Sequence, residues 1–322
     1  MPTASSSTAS ALHEVLSDMV ALLQLDLPAS ASAEESTNRI AAASAKLVAS
    51  LAAAEAAGVP APTLDEALTP LHEALRGCEF YRRTHTWPRG YPGDFETVEM
   101  LCYPQKFATP KHTWADRMQE FTLGHASVQQ HRNKIVRQAL TILEVAAGAT
   151  SDTRILSAGC GGCPDLRMIL PTLRTFPGRF VLVDSDADAL AFSRSQLGAL
   201  ADSCDFIQAN ALRHLKRAAR KGDTFDLIYA GGLFDYFKDD AVDFFLTHAH
   251  ALLKPGGRLF FTNIAAGNPH LGMIKHLARW NLILRSEASL LDLCKRAAIE
   301  PTTLHIERDA TGVTLLVDIK KP

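Results

Sequence analysis

The residues whose types and spacing most directly suggest chemistry are Gly159, Gly161 and Asp184. They lie in the stretch RILSAGCGGCPDLRMILPTLRTFPGRFVLVDSD, residues 154–186. It reads as a buried strand, a glycine turn, a short helix and a second buried strand that ends in an acid. Glycine lets a ligand lie against the backbone and tolerates unusual dihedrals, and the helix that follows offers unpaired N–H groups. Phe180–Val183 is wholly apolar, the character of a central parallel strand. An acid at its carboxyl end, about 20 residues past the glycines, is placed to accept hydrogen bonds from a ribose diol. The first inference is a ligand that carries a nucleoside.

Cys160-Gly-Gly-Cys163 also has C-x-x-C spacing. A zinc site needs two further ligands, and neither a second C-x-x-C nor a suitably spaced histidine pair supplies them. The expectation is therefore no metal, with both cysteines serving as small residues of a ligand turn. The six cysteines are scattered rather than paired as a disulfide framework.

The elements that must position these groups follow from the rest of the chain. A composition of 47% hydrophobic and 21% charged residues allows a substantial core. The net charge of -2 provides no basic field for nucleic acid. No apolar run approaches the ~20 residues of a membrane span, and the N-terminus lacks a signal-like pattern. A cytoplasmic protein acting on a small molecule is the expectation.

Residues 1–10, rich in Ser, Thr and Ala, read as a loose end. Helical periodicity then predicts helices over 11–25, over 33–57 behind a capping box at Ser32–Glu35, and from a second box at Thr63–Glu66 toward Tyr81, with a restart at Pro70. The region 1–148 is expected to be a helical cap, and a homodimer could form through it. Within it, 80–103 concentrates aromatic rings around Pro88-Arg-Gly-Tyr-Pro-Gly-Asp94, which is incompatible with a regular helix. This segment is expected to act as a lid, with Tyr91 as a hydrogen-bond donor or a ring facing a cation. A helix from Ser127 to Gly148 carries an apolar side of Val128, Ile135, Val136, Leu140 and Leu143. Its polar start makes Arg132 the candidate grip for a ligand carboxylate.

From 149 to 322 strands and helices alternate and end in a hairpin across Asp309–Gly312. That order predicts a mostly parallel sheet with an antiparallel edge. Asn263, at the end of the fifth strand, falls at the usual ligand-facing edge. It is expected either to orient a substrate amine or carboxylate, or to cap the adjacent turn.

The order of LSAGCGG, VLVDSD, QANA, FDLIYAGGLFDY and LLKPGGRLFFTN resembles the class I S-adenosylmethionine-dependent methyltransferase fold over residues 150–322. The resemblance implies a Rossmann-like α/β domain with a seven-stranded, mostly parallel sheet and an antiparallel C-terminal hairpin, preceded by the helical cap. It implies that Gly159 and Gly161 approach the methionyl and ribose parts of S-adenosylmethionine and that Asp184 meets the ribose hydroxyls. Asn210 and Ala211 would read the adenine edge, while Gly231 and Phe234 would lie beside the sulfonium. Ser157-Ala158 departs from the pattern, since many relatives have an acid there. A nicotinamide dinucleotide is disfavoured because no second dinucleotide half is apparent.

TWPRGYPGDFETVEML and SVQQHRNKI resemble a narrower bacterial subgroup. Some of its members are linked to methyl esters of hydroxy fatty acids. Similar capped enzymes cyclise S-adenosylmethionine to azetidine-2-carboxylate and release methylthioadenosine. Methyl transfer to a small acceptor such as a carboxylate is the first expectation, and cyclisation is the alternative. A carboxylate acceptor needs no general base. Cyclisation needs a neutral amine and a dry pocket.

Overall fold

The computed structural model describes residues 6–28, 30–108 and 113–322. The chain divides into two compact units, residues 1–129 with 269–281 and residues 130–268 with 282–322. The sequence boundary was expected at 148/149. The break instead falls within helix Ala126–Ala146, because the buried face of that helix packs with the sheet.

The first unit is helical. Helix Ser6–Leu23 starts earlier than periodicity suggested, inside the expected loose end; residues 1–5 of that end lie outside the described residues. Ser32 caps helix Ala33–Ala56 by accepting from the Glu35 N–H at 3.0 Å. The second capping box does not form. Helix Ala61–Ala67 opens with a proline in its first turn, so Thr63 already lies inside it. A new helix, Thr69–Leu75, begins after Leu68, which is the restart expected at Pro70.

The aromatic segment is less irregular than its composition implied. Helices Glu79–Thr86 and Phe95–Cys102 flank the proline-glycine turns. Tyr81 and Phe95 are buried in this unit, whereas Trp87 is exposed. Buried Asp94 caps the second helix and pairs with Arg83 at 2.7 Å. The returning segment, with a π-helical turn at Met273–Leu277, is held by two histidines. A ring nitrogen of His72 and one of His85 each lie 2.8 Å from a backbone carbonyl, of His276 and Leu277 respectively.

The second unit is a seven-stranded sheet. Its strands are β1 (Arg154–Ala158), β2 (Arg179–Asp184), β3 (Cys204–Gln208), β4 (Phe225–Ala230), β5 (Leu253–Ile264), β6 (Leu304–Arg308) and β7 (Thr314–Lys320). The spatial order is β3-β2-β1-β4-β5-β7-β6. The first five strands are parallel, and the hairpin adds β7 and β6 antiparallel. Lys254–Gly257 is part of β5, with a register shift opposite Phe225–Leu227.

Alternate side chains build a core on each face. Leu156, Val181, Val183 and Ile228 share one core with Phe245 and Leu293 from covering helices. Ile155, Phe180, Leu182 and Tyr229 share the other with Ala139 and Ile142 of helix Ala126–Ala146. That helix buries Val128, Ile135, Ala139 and Ile142, whereas Val136 and Leu140, expected on its apolar side, are exposed.

The topology fixes where a crevice opens. From β1 the chain runs outward through β2 and β3, then returns to place β4 on the other side of β1. The turns after β1 and β4 therefore diverge and leave a crevice at the strands' carboxyl ends.

Candidate functional site

The turn after β1 forms one wall of this crevice. Gly159 has φ +71°, and an added Cβ would come 3.5 Å from Leu233 Cδ1 in the turn after β4. A side chain there would be strained and would narrow the gap between the two turns. The N–H groups of Gly159 and Cys160 donate to the Val183 carbonyl at 2.8 and 3.0 Å, tying the turn to the end of β2.

Gly161, at φ +51°, donates its N–H to Asp184 Oδ2 at 2.8 Å. The Asp186 N–H donates to Oδ1 at 2.9 Å. Two backbone donors thus orient the Asp184 carboxylate, and each oxygen retains further lone-pair capacity for a vicinal diol. Burial pushes this carboxyl above its usual range, and the donated hydrogen bonds work against that shift. The glycine turn and the acid are brought together as expected.

Beneath the turn lie Cys160, Cys163 and Asp165, all buried. Both cysteines are free thiols. The hydrogen bond to Cys163 and burial push the Cys160 thiol well up, so it is a poor nucleophile. Burial also raises Asp165, to about 6 from an ordinary 3.8. Native Asp165 therefore holds its proton to about pH 6, whereas the unfolded chain releases it near pH 4. Its effect is to make stability fall as pH rises through that window. Asp165→Asn keeps an acceptor for the Leu166 N–H, which the native Oδ1 binds at 2.8 Å. The substitution is expected to stabilise the protein by about 1–3 kcal/mol at pH 7.5 and by little at pH 4. Urea denaturation at the two pH values checks this.

Asn210 and Ala211 follow β3. Asn210 Oδ1 accepts from the Arg213 N–H at 3.2 Å and caps helix Ala211–Lys221. The Asn210 side-chain carbonyl thus serves the helix, while the residue itself is exposed at the crevice end of β3.

The turn after β4 is more elaborate than the sequence suggested. Gly231 is exposed, and a Cβ on it would come 2.3 Å from Gln138 Nε2. Gly232, at φ +84°, donates its N–H to Thr262 Oγ1 at 2.9 Å. Phe234, expected beside the sulfonium, is fully buried and stacks on Phe261 with centroids 4.2 Å apart. The ring belongs to the core because β4 ends in a 3-10 turn that folds it back over β5.

Asn263 also requires correction as a substrate-orienting residue. It is fully buried. Its amide donates to Asp235 Oδ1 at 3.0 Å and to the Ile283 carbonyl at 2.8 Å. Its Oδ1 accepts from Arg285 Nη1 at 2.7 Å. Asn263 therefore braces the turn, nearer to the capping role that was the other expectation.

Arg285, four residues past the returning segment, donates to the Phe234 and Phe237 carbonyls at 2.9 and 2.6 Å. Asp235 completes the brace by accepting from the Ile264 N–H at 2.6 Å. Burial raises its carboxyl to about 6, and the Lys134 and Arg285 charges oppose that shift.

The helix before β1 brings a cation to the crevice that the sequence reading did not name. Arg132 is half-buried on it. Lys134 is the residue placed at the glycine pair, with Nζ 3.3 Å from the position of a Cβ on Gly232. Tyr91 belongs to the helical unit, half-buried between the helices Glu79–Thr86 and Phe95–Cys102. Sequence reasoning missed Lys134, Gln138, Asp235 and Arg285. The first two carried a signal, because Gln130, Lys134 and Gln138 recur at every fourth residue and so share one helix face.

Among the described residues no group of three His, Cys, Asp or Glu is arranged to hold a metal ion. No helix among them is long and apolar enough to cross a membrane.

Residues 156–259 match a family model described as a methyltransferase domain. No curated protein matches the chain. Among solved structures, a possible exported protein from Bordetella parapertussis is similar at 18% identity and TM-score 0.57, over 100% of this chain and 97% of that one. The likeness is one of fold along the whole chain. The magnesium protoporphyrin IX methyltransferase of Synechocystis PCC 6803 is 11% identical, with TM-score 0.47, over 71% of this chain and 96% of its own. The N-methyltransferase NodS from Bradyrhizobium japonicum WM9 is 16% identical, with TM-score 0.42, over 61% and 87%. The span 156–259 runs from β1 into β5 and so contains both turns of the crevice.

Proposed function

We propose that this protein is an S-adenosylmethionine-dependent methyltransferase that acts on a small-molecule acceptor, with carboxylates as the first class to test. The observation that carries the reading is the Asp184 carboxylate, held by the Gly161 and Asp186 N–H groups at the mouth of the crevice. A carboxylate so fixed suits a ribose diol, and the glycine turn beside it leaves room for a ligand backbone. The methyltransferase domain match over 156–259 supports the same reading.

When bound, the donor supplies an electrophilic methyl group on a sulfonium. The chain's own contribution is alignment. Asp184 holds the nucleoside end at β2, Gly159 keeps the floor open at β1, and the Gly231–Gly232 turn borders the space at β4. A carboxylate acceptor is already a nucleophile at neutral pH, so no residue has to remove a proton.

The test is mass spectrometry of the purified full chain incubated with S-adenosylmethionine, alone and with a panel of medium- and long-chain carboxylic acids, including 3-hydroxy acids. Adenosylhomocysteine that forms only when an acceptor is present supports the proposal. Methylthioadenosine and azetidine-2-carboxylate formed from the donor alone would replace it with intramolecular cyclisation.

A further inference from the structure

Helix Ala211–Lys221 carries Arg213, Lys216, Arg217, Arg220 and Lys221 and no acid. Spacings of three and four residues gather these cations on one face, about 12 Å long. All five residues are exposed. The opposite face is fixed in the core of the sheet unit through Ala211, Leu215 and Ala218, so the charged face is held outward.

Local stability does not account for this composition. Like charges three and four residues apart repel along a helix, and Arg213 lies in the first turn, where the helix dipole favours an acid. Arg220 and Lys221, in the last turn, are the two that suit the dipole. Nearby acids are taken by other cations. Asp223, just past the helix, pairs with Arg154 at 2.9 Å. Asp239 and Asp243 of the neighbouring helix Asp239–Leu252 pair with Arg285 and Arg296, at 2.8 and 3.0 Å. Arg217 Nη2 lies 3.3 Å from His214 Nδ1, a contact that brings no negative charge.

Such a face fits a partner that answers charge alone. A protein interface centres on aromatic or large apolar anchors, whereas the exposed positions from Arg213 to Gly222 hold only the five cations, Ala219 and Gly222. A nucleic acid follows an extended basic groove, and this face is convex and one helix long, on a chain of net charge -2. A bilayer with anionic headgroups requires neither, since a cluster of about four to eight Lys or Arg on one helix is enough for adsorption. We propose that helix Ala211–Lys221 docks this protein on an anionic phospholipid surface, by adsorption without insertion because its apolar face is occupied by the core. The helix starts after Asn210, at the crevice end of β3, so adsorption holds the crevice beside a surface in which long-chain acids reside. That last link rests on the proposed acceptor class, and the docking itself does not.

The test is co-sedimentation of the full chain with phosphatidylcholine vesicles, with and without about 30 mol% phosphatidylglycerol, at low salt and at about 0.5 M NaCl. The protein is expected to pellet with the anionic vesicles at low salt and to be released at high salt. The triple variant Lys216→Glu, Arg220→Glu, Lys221→Glu is expected to lower partitioning by roughly a hundredfold or more, at roughly fivefold for each charge removed. Its S-adenosylhomocysteine affinity by calorimetry is expected to be unchanged. A control with Arg174→Glu, Lys295→Glu and Lys320→Glu alters the net charge equally and is expected to keep its vesicle binding. Equal loss in both variants, undiminished binding in the first, or wild-type protein that stays in the supernatant overturns the proposal. If the first variant loses its helical circular dichroism, the double variant Lys216→Gln, Arg220→Gln decides: a loss of roughly 25-fold supports the face, and undiminished binding overturns it. Wild-type protein that binds polyuridylic acid but not the vesicles also overturns the bilayer and assigns the face to nucleic acid. Wild-type protein that pellets with anionic vesicles but does not bind S-adenosylhomocysteine removes the methyltransferase reading and leaves the docking supported.

Discussion

Asp184→Ala is expected to weaken S-adenosylhomocysteine binding by roughly a hundredfold or more, measured by calorimetry on the full chain. The carboxylate would accept from two ribose hydroxyls, and each hydrogen bond to a charged group contributes about 1.5–3 kcal/mol. The substitution also removes the acceptor that the Gly161 N–H now uses at 2.8 Å, so the glycine turn loses its link to the end of β2. Asp184→Asn should fall between the two, because it keeps an acceptor oxygen but loses the charge. The residue is half-buried at a strand end, so the fold is expected to survive, with circular dichroism as the control. Unchanged affinity in the alanine variant would remove Asp184 from the ribose.

Arg285→Ala is expected to destabilise the protein by about 3–5 kcal/mol in chemical denaturation, the range for breaking a buried charge network by removing one partner. The guanidinium is 4% exposed. Besides the Phe234 and Phe237 carbonyls and Asn263 Oδ1, it donates to Asp239 Oδ1 at 2.8 Å. The Phe234 carbonyl and Asn263 Oδ1 would lose their donors in a buried setting, whereas Asp239 is exposed and can turn to water. Lysine is not expected to rescue, since one ammonium cannot reproduce the planar fork. A loss below about 1 kcal/mol would show that the turn after β4 holds itself in place without the brace.

The parts of this molecule that were legible in the sequence are those with local causes. The apolar run Phe180–Val183, the glycines of the turn and the acid after β2 carry their meaning within some thirty residues, and the mostly parallel sheet with its closing hairpin follows from the alternation. Asp184 and Gly161 meet because the turn and the strand end that hold them are neighbours across β1 and β2. What was not legible depends on contacts far apart in sequence. Asn263 seemed to face the ligand edge, but Arg285 and Asp235, 22 and 28 residues away, consume its amide. Phe234 sits in a motif that suggested the sulfonium, yet Phe261 offers a stacking partner that draws the ring into the core.

The helix before β1 was misread for a related reason. Its polar start was read as the part that grips a ligand, so attention fell on Arg132. In the fold, Val136 and Leu140 are exposed while Gln130, Lys134 and Gln138 are buried, because the polar face looks onto the crevice. In the aromatic segment, local enrichment in rings did not tell core from surface: Tyr81 and Phe95 are core residues of the helical unit, whereas Trp87 is exposed.

The measurement that bears most directly on the central claim is a crystal structure of the full chain grown with S-adenosylhomocysteine. The predicted result places the ribose hydroxyls within hydrogen-bond distance of the Asp184 carboxylate and the homocysteine tail across β1 at the Gly231–Gly232 turn. A ligand bound elsewhere, or an adenosine moiety that leaves Asp184 untouched, would contradict it.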